Sequence, residues 1–360
     1  MKGSCLRPIA ACWQIGSALL LFATAGQAFG SATISGTVKP ADKGVLDNAV
    51  VVATSDTFKV YRVDASAGAY SQDVDPGTYS IVVLAMNQTA APVTNKVLKD
   101  GDKLTQDFTL ATATPFPLVK SPNPIPLTDG IDSASFQDAP EIVVKGGQNV
   151  VVGDPNGTPP WTPSVVSGRF RLKYSTQAIH IAADVTYQTP RVNSQAGVNL
   201  WNGNAFEFDF QNDPYDGTRT AMDPDHNWQL IVGLGDTADW WMYSLQAAPS
   251  VNGKDEPPAP HFAIQDKPAA TPGETFRLDV PWSILLDSTG KGISPPADNA
   301  LGAMDVTLDA ADPTGAKDTA LRLFQIDWSG FEPSHNNPSV LRPIQFVPQA
   351  PAATPPNAGQ

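Results

Sequence analysis

Seven tryptophans lie beyond residue 30, and they are the residues best able to build a recognition surface from this sequence. Flat aromatic rings take the apolar faces of small ligands, and a few fixed polar groups orient them. Trp201 stands just before the polar turn Asn202-Gly203-Asn204, and Trp161 lies in the loop Gly157-Thr158-Pro159-Pro160-Trp161-Thr162-Pro163. Trp240 and Trp241 are consecutive, so in a strand one ring points inward and the other outward. The candidate ligand-binding residues are therefore Trp161, Trp201, Asn202, Asn204, Glu207, Trp240 and Trp241. Trp228 and Trp282 are read as core.

Carboxylates are the second chemical resource. Glu207, Asp209, Asp213, Asp216, Asp223 and Asp225 are dense, with Arg219 the one basic residue among them. Hard oxygens of this kind suit calcium, although the spacing is not that of a twelve-residue calcium loop. Glu207 and Asp209 fall on the same side of a strand, about 7 Å apart by strand rise. Paired carboxylates flank the bond in glycoside hydrolases, but such a pair is also an ordinary feature of sheets. There is no His-Glu-x-x-His, no Ser-His-Asp ordering, and His180, His226, His261 and His335 have no metal-ligand spacing. Both cysteines, Cys5 and Cys12, fall in the N-terminal leader-like stretch, so beyond it no disulfide or thiolate site can form. The reading leans away from an enzyme.

The elements that must position these residues are strands. Of 360 residues, 34 are Pro and 28 are Gly, which opposes long helices. Hydrophobic residues make up 41 %, enough for a real core, so wholesale disorder is not expected. A net charge of −13 disfavours nucleic acid as a partner, since phosphate binding needs a basic face. Lys2 and Arg7 followed by an apolar run and the small residues Gly26-Gln27-Ala28 read as a signal peptide over 1–28. Its apolar run is too short to span a membrane, so a secreted or periplasmic protein with no membrane span is expected. Residues 31–110 show short strands with turn punctuation such as Asp75-Pro76-Gly77, predicting a small immunoglobulin-like sandwich. Spaced prolines over 111–126 predict an extended linker. Residues 127–347 hold eleven short strand candidates, predicting a larger, jelly-roll-like sandwich, and 348–360 reads as a disordered tail. Within it, Phe206, Phe208 and Phe210 share one face and Glu207 and Asp209 the other. The fold class is thus all-β, with two sandwich domains.

Two family resemblances sharpen this reading. Ile34-Ser35-Gly36-Thr37-Val38, Asp47-Asn48-Ala49-Val50-Val51-Val52 and Asp75-Pro76-Gly77-Thr78-Tyr79-Ser80-Ile81-Val82-Val83 resemble the carboxypeptidase regulatory-like family. That likeness implies a transthyretin-like sandwich serving as a spacer. Leu127-Thr128-Asp129-Gly130-Ile131-Asp132, the pair Phe170–Tyr174 and Ile179–Thr186, Leu200-Trp201-Asn202-Gly203-Asn204-Ala205-Phe206-Glu207-Phe208-Asp209-Phe210, Arg277–Trp282 and Leu301–Asp309 resemble, in order, the conserved strands of family 9 carbohydrate-binding modules. The sequence departs from that pattern where Asn204 replaces the usual Asp and where Asp312 follows Asp309 by three residues. The resemblance implies non-catalytic binding of a polysaccharide or oligosaccharide, with a secreted glycoside hydrolase as a possible partner in polysaccharide breakdown. It also makes Asp129, Asp132 and Asp312 candidate calcium ligands.

The same sandwich superfamily includes haem-binding subunits of periplasmic electron-transfer oxidoreductases. Met222, Met242, His180 and His226 are the residues that could ligate haem here. A third class, a structural cell-envelope adhesion protein, needs no ligand site at all. The expected function is a secreted carbohydrate-binding protein that docks sugar on exposed Trp faces.

Overall fold

The computed structural model describes residues 30–40, 46, 48–213, 223, 225–236, 239–244, 260–268, 270–331 and 338–349. The expected signal peptide, most of the expected tail, and Met222, Asp216 and Arg219 lie outside the described residues. Short runs of β-branched and aromatic residues punctuated by Pro and Gly fold as strands, and the described helices are single 3-10 turns. No helix among the described residues is long and apolar enough to cross a membrane.

The first module holds β1 (Ala32–Lys39), β2 (Val50–Ser55), β3 (Val60–Asp64), β4 (Ala69–Val74), β5 (Gly77–Leu84), β6 (Gln88–Thr89), β7 (Val93–Leu98), β8 (Lys103–Thr105), β9 (Phe108–Thr109) and β10 (Ala111–Thr112). Its sheets run β4-β1-β8 and β3-β2-β5-β7. Ile34, Val51, Ala53, Tyr79 and Ile81 are buried in its own core. The single strand expected over Leu104–Leu110 is split into β8 and β9, both parallel to β1.

The second module holds β11 (Phe116–Lys120), β12 (Glu141–Val144), β13 (Val150–Val152), β14 (Val166–Tyr174), β15 (Ala178–Tyr187), β16 (Ala205–Gln211), β17 (Asn227–Gly233), β18 (Asp239–Ser244), β19 (His261–Asp266), β20 (Glu274–Pro281), β21 (Leu301–Ala311), β22 (Arg322–Asp327) and β23 (Arg342–Val347). One continuous sheet runs β18-β17-β16-β21-β23-β11-β14-β15-β20-β19, with β22 on β21 and β13 on β22. The sheet folds over so that its two halves share a core. Phe170 on β14 lies 5.6 Å from Phe206 on β16, and Phe206 lies 5.0 Å from Phe276 on β20, ring centre to ring centre.

The segment read as a linker contributes β11, which is the join between the halves. It runs parallel to β23 through Phe116–Val119 and parallel to β14 only at Val119 and Lys120. Pro117 therefore has one strand neighbour, β23, the edge-like setting in which proline is tolerated in sheets. Leu118 is fully buried, so apolar alternation outweighs the spaced prolines.

The modules are fastened rather than strung. Val52, Val60 and Leu84 of the first module belong to the core of the second. Asn156 brackets Val60, accepting from its N–H at 2.9 Å and donating to its carbonyl at 2.8 Å. Arg62 donates to the carbonyls of Gln148 (3.2 Å), Val150 (2.9 Å) and Gly330 (2.7 Å). Gly147 sits so close to the first module that a Cβ there would lie 2.4 Å from Thr54 Oγ1. Arg62→Met should leave three carbonyls without their charged donor and lower the unfolding free energy by about 2–4 kcal/mol. Urea denaturation of the two proteins checks this, and a loss below about 1 kcal/mol would show that the guanidinium does not fasten the junction.

Candidate functional site

Strand periodicity gives the β16–β17–β18–β21–β22 half of the sheet two unlike faces. Phe206, Phe208, Phe210, Trp228, Leu230, Trp240, Met242, Val306 and Leu308 are buried in the core. The alternate residues Glu207, Asp209, Asp305, Thr307, Asp309 and Asp327 are directed to the other face. Register sets Asp209 opposite Asp305 and Glu207 opposite Thr307, which in turn lies opposite Asp327. All six are at most 4 % exposed, so this face is a buried layer of carboxyl groups.

Removing so many carboxylates from water favours their neutral form. Burial, reinforced by the charges of Glu207 and Asp305, pushes Asp209 well up. Asp309 is pushed well up by burial and by the charge and hydrogen bond of Glu207, against the lowering effect of Arg322. Asp327 is raised by burial and Asp305. Burial pushes Asp305 up to about 6, against the lowering effect of Ser329 and Arg342. Neutral donors complete the layer: Gln229 Nε2 donates to Glu207 Oε2 at 2.6 Å, and Ser329 N donates to Asp305 Oδ1 at 3.1 Å.

Arg322 connects this layer to the tryptophans. Its Nη1 donates to Asp309 Oδ1 at 3.1 Å and to Gln325 Oε1 at 2.5 Å. Its guanidinium lies 4.5 Å over the ring of Trp201, and its backbone N–H donates to Asn202 Oδ1 at 3.2 Å. Trp201 and Trp241, both partly buried, pack on one apolar patch of Leu200, Ala205 and Ile231. Among the described residues, the buried indole Nε1 of Trp241 has no hydrogen-bond partner. Gly197, with φ +58°, takes a left-handed backbone that L side chains rarely adopt, beside the Trp241 ring.

A polar cleft of about 310 Å³ adjoins this patch, lined by Arg191 and residues 193–196 with Asp236, Asp239, Lys317 and Asp318. Asn193 shapes its wall by donating to the carbonyls of Leu200 (2.7 Å) and Asn204 (2.9 Å). Arg191 is moored to Asp266 at 2.7 Å, and its backbone N–H donates to Glu274 Oε1 at 2.9 Å. Glu274 is wholly buried, and burial pushes its carboxyl up to about 7.

The sequence expectations divide accordingly. Trp201, Asn202 and Trp241 come together on this face. Trp161 does not: it is sealed at 0 % exposure, with Phe58 of the first module edge-on at 6.3 Å. Trp240 is the inward member of its pair and is core. Asn204 holds loops, donating to the Thr189 carbonyl and accepting from Ala311 N, both at 2.8 Å. Glu207 belongs to the buried layer, and neither it nor Asp209 has the open position that bond cleavage between carboxylates would need. Arg322 was missed, because a lone Arg after a loop carries no pattern.

The proposed calcium ligands have other duties. Asp132 pairs with Arg169 at 2.6 Å, Asp312 accepts from Thr314 N and Oγ1, and Asp129 closes a turn onto the Pro126 carbonyl. Among the described residues no group of three or more His, Cys, Asp or Glu is arranged to hold a metal ion. Asp129, Asp132 and Asp312 do not form such a group. Of the four residues that could ligate haem, Met222 lies outside the described residues. Both His180 nitrogens are engaged, Nδ1 with Asp279 at 2.7 Å and Nε2 with Ser175 at 3.0 Å, and Met242 is in the core. His226 Nδ1 bonds Asn212 Oδ1 at 2.8 Å.

No family model matches the sequence, and no curated protein matches it. Solved structures do resemble the fold. One is a family 9 carbohydrate-binding module from Caldicellulosiruptor kristjanssonii in complex with cellotriose, 12 % identical, spanning 68 % of this chain and 98 % of its own at a TM-score of 0.43. A glucose complex of a family 9 module from the same organism is 12 % identical, spanning 67 % and 100 % at 0.44. A candidate carbohydrate-binding protein from Bacteroides uniformis is 11 % identical, spanning 65 % and 98 % at 0.40. At these scores the likeness carries no residue-by-residue correspondence.

The raised carboxyls fix the direction of pH dependence. An Asp that titrates near 4 when unfolded and near or above 6 when folded stabilises the fold fully below pH 4, and that stabilisation is lost as pH rises through the folded value. Stability should therefore fall between pH 5 and pH 8, by on the order of 1–3 kcal/mol. Asp209→Asn should flatten the slope and raise the melting point at pH 8. Thermal melts across this range decide it: a slope of opposite sign, or one unchanged by Asp209→Asn, contradicts the assignment.

Proposed function

We propose that the protein binds carbohydrate on the outer face of β16–β18, at Trp201 and Trp241. The observation that carries this is the meeting of two partly buried indoles on one apolar patch beside a polar cleft of about 310 Å³. Ring faces take the C–H side of a sugar, and amide, hydroxyl and charged groups along the cleft take its hydroxyls. The unpartnered Trp241 Nε1 is a donor that a sugar oxygen could satisfy after a small ring movement. Arg322 stiffens the arrangement, because it is held from below by Asp309 and lies over Trp201.

This reading assigns no bond cleavage to the protein. The leader-like Lys2–Ala28 stretch supports export, which would place the protein beside extracellular or periplasmic glycans. The first module is then a rigid abutment, since it shares core residues with the second.

Trp241→Ala and Trp201→Ala should each weaken binding by about tenfold or more while circular dichroism stays unchanged. A broad glycan array with cellotriose and glucose included selects the ligand, and titration calorimetry measures the variants. Absence of glycan binding by the intact chain, or full binding by both variants, would refute the site.

A further inference from the structure

The two modules enclose a second cleft, of about 340 Å³, that the carbohydrate face does not use. Its walls come from three parts of the chain: residues 83–89 of the first module, residues 113–117 leading into β11, and residues around Trp328 and Arg342 of the second module. Neither module alone would form it. Its flat surfaces are aromatic: Phe116 meets Trp328 edge to face at 5.0 Å, and Phe331 lies beside them. Asn87 and Thr114 contribute an amide and a hydroxyl to the lining.

Charge distinguishes this cleft from the rest of the molecule. Among the described residues lining it, Arg342 is the only charged one, in a chain of net charge −13. The Arg342 guanidinium lies 5.1 Å over the Trp328 ring. Among the described residues, the hydrogen bond it makes is a long 3.5 Å contact from Nη2 to the Ser329 carbonyl, and its Nε has no partner. A guanidinium carries five N–H donors in a planar fork that matches a carboxylate. Arg342 is therefore held in place by a ring and by the electrostatic pull of Asp305, and among the described residues most of its N–H donors meet no acceptor.

We propose that this junction cleft is a second ligand site, taking a small hydroxylated carboxylate of the hexuronic acid class. The carboxylate would pair with Arg342, the C–H face of the ring would lie on Trp328 and Phe331, and the hydroxyls would meet Asn87 and Thr114. A neutral sugar leaves the guanidinium unanswered, and an aromatic acid leaves the polar wall unanswered.

The test titrates the full chain with D-galacturonate, D-galactose and benzoate, read by calorimetry and by tryptophan fluorescence. Saturable binding of galacturonate is expected, with galactose and benzoate each weaker by about tenfold or more. Arg342→Met should abolish it. Arg342→Lys, which keeps the charge but not the fork, should weaken it severalfold. Thr114→Phe should block the cleft without touching the arginine. Trp241→Ala should leave it unchanged, which separates this site from the carbohydrate face. No saturable binding, equal affinity for galactose or benzoate, indifference to both Arg342→Lys and Thr114→Phe, or loss in Trp241→Ala would overturn the proposal.

Discussion

The second module is organised around a conflict between a core and a layer of charge that occupy opposite faces of the same strands. Phe206, Phe208 and Phe210 must reach the shared core, and a period of two then sends Glu207 and Asp209 to the other side. Leu308 and Val306 impose the same on Asp309, Thr307 and Asp305. A slip of one residue would bury the carboxylates in the phenylalanine core, so register is strongly specified. Protons retained by the raised carboxyls, amide donors such as Gln229, and two arginines offset the cost of the layer.

Those arginines give the layer its reach. Arg322 answers Asp309 below and lies over Trp201 above. Arg342 feels Asp305 and lies over Trp328. Each joins the buried carboxyls to an indole, once at the proposed carbohydrate face and once at the module junction. Rigid, inwardly paired cations of this kind hold aromatic rings without leaving a loose side chain to be ordered on binding. The first module takes part in the same construction, since Arg62 fastens the backbone at Gln148, Val150 and Gly330 beside the layer.

Much of the fold was legible because strand signals are local. The alternation in Ala205–Gln211 and the strand Glu274–Pro281 were readable from residue order alone. The segment 116–120 was misread because prolines dominate its composition, while its pairing with β23 depends on residues more than 220 positions away. The site was only partly legible. Trp241 and Trp201 could be singled out by neighbouring turns and pairing, but sequence cannot tell which ring another module will cover. Trp161 was lost to Phe58 for that reason. Asn204 looked like a ligand-facing turn residue, yet long-range bonds to Thr189 and Ala311 claim it. Arg322 and Arg342 acquire meaning only when distant strands bring carboxyls and rings to them.

The claim on which this account rests is that the carboxyl layer keeps protons where free aspartates would have lost them. Carbon-13 detected NMR of the side-chain carboxyls of Asp209, Asp305, Asp309 and Asp327, followed from pH 3 to pH 8, measures this at each residue. The account predicts that Asp305 titrates at about 6 and that the other three titrate well above the ordinary aspartate range. Ionisation of all four near pH 4, as in an open chain, would contradict it.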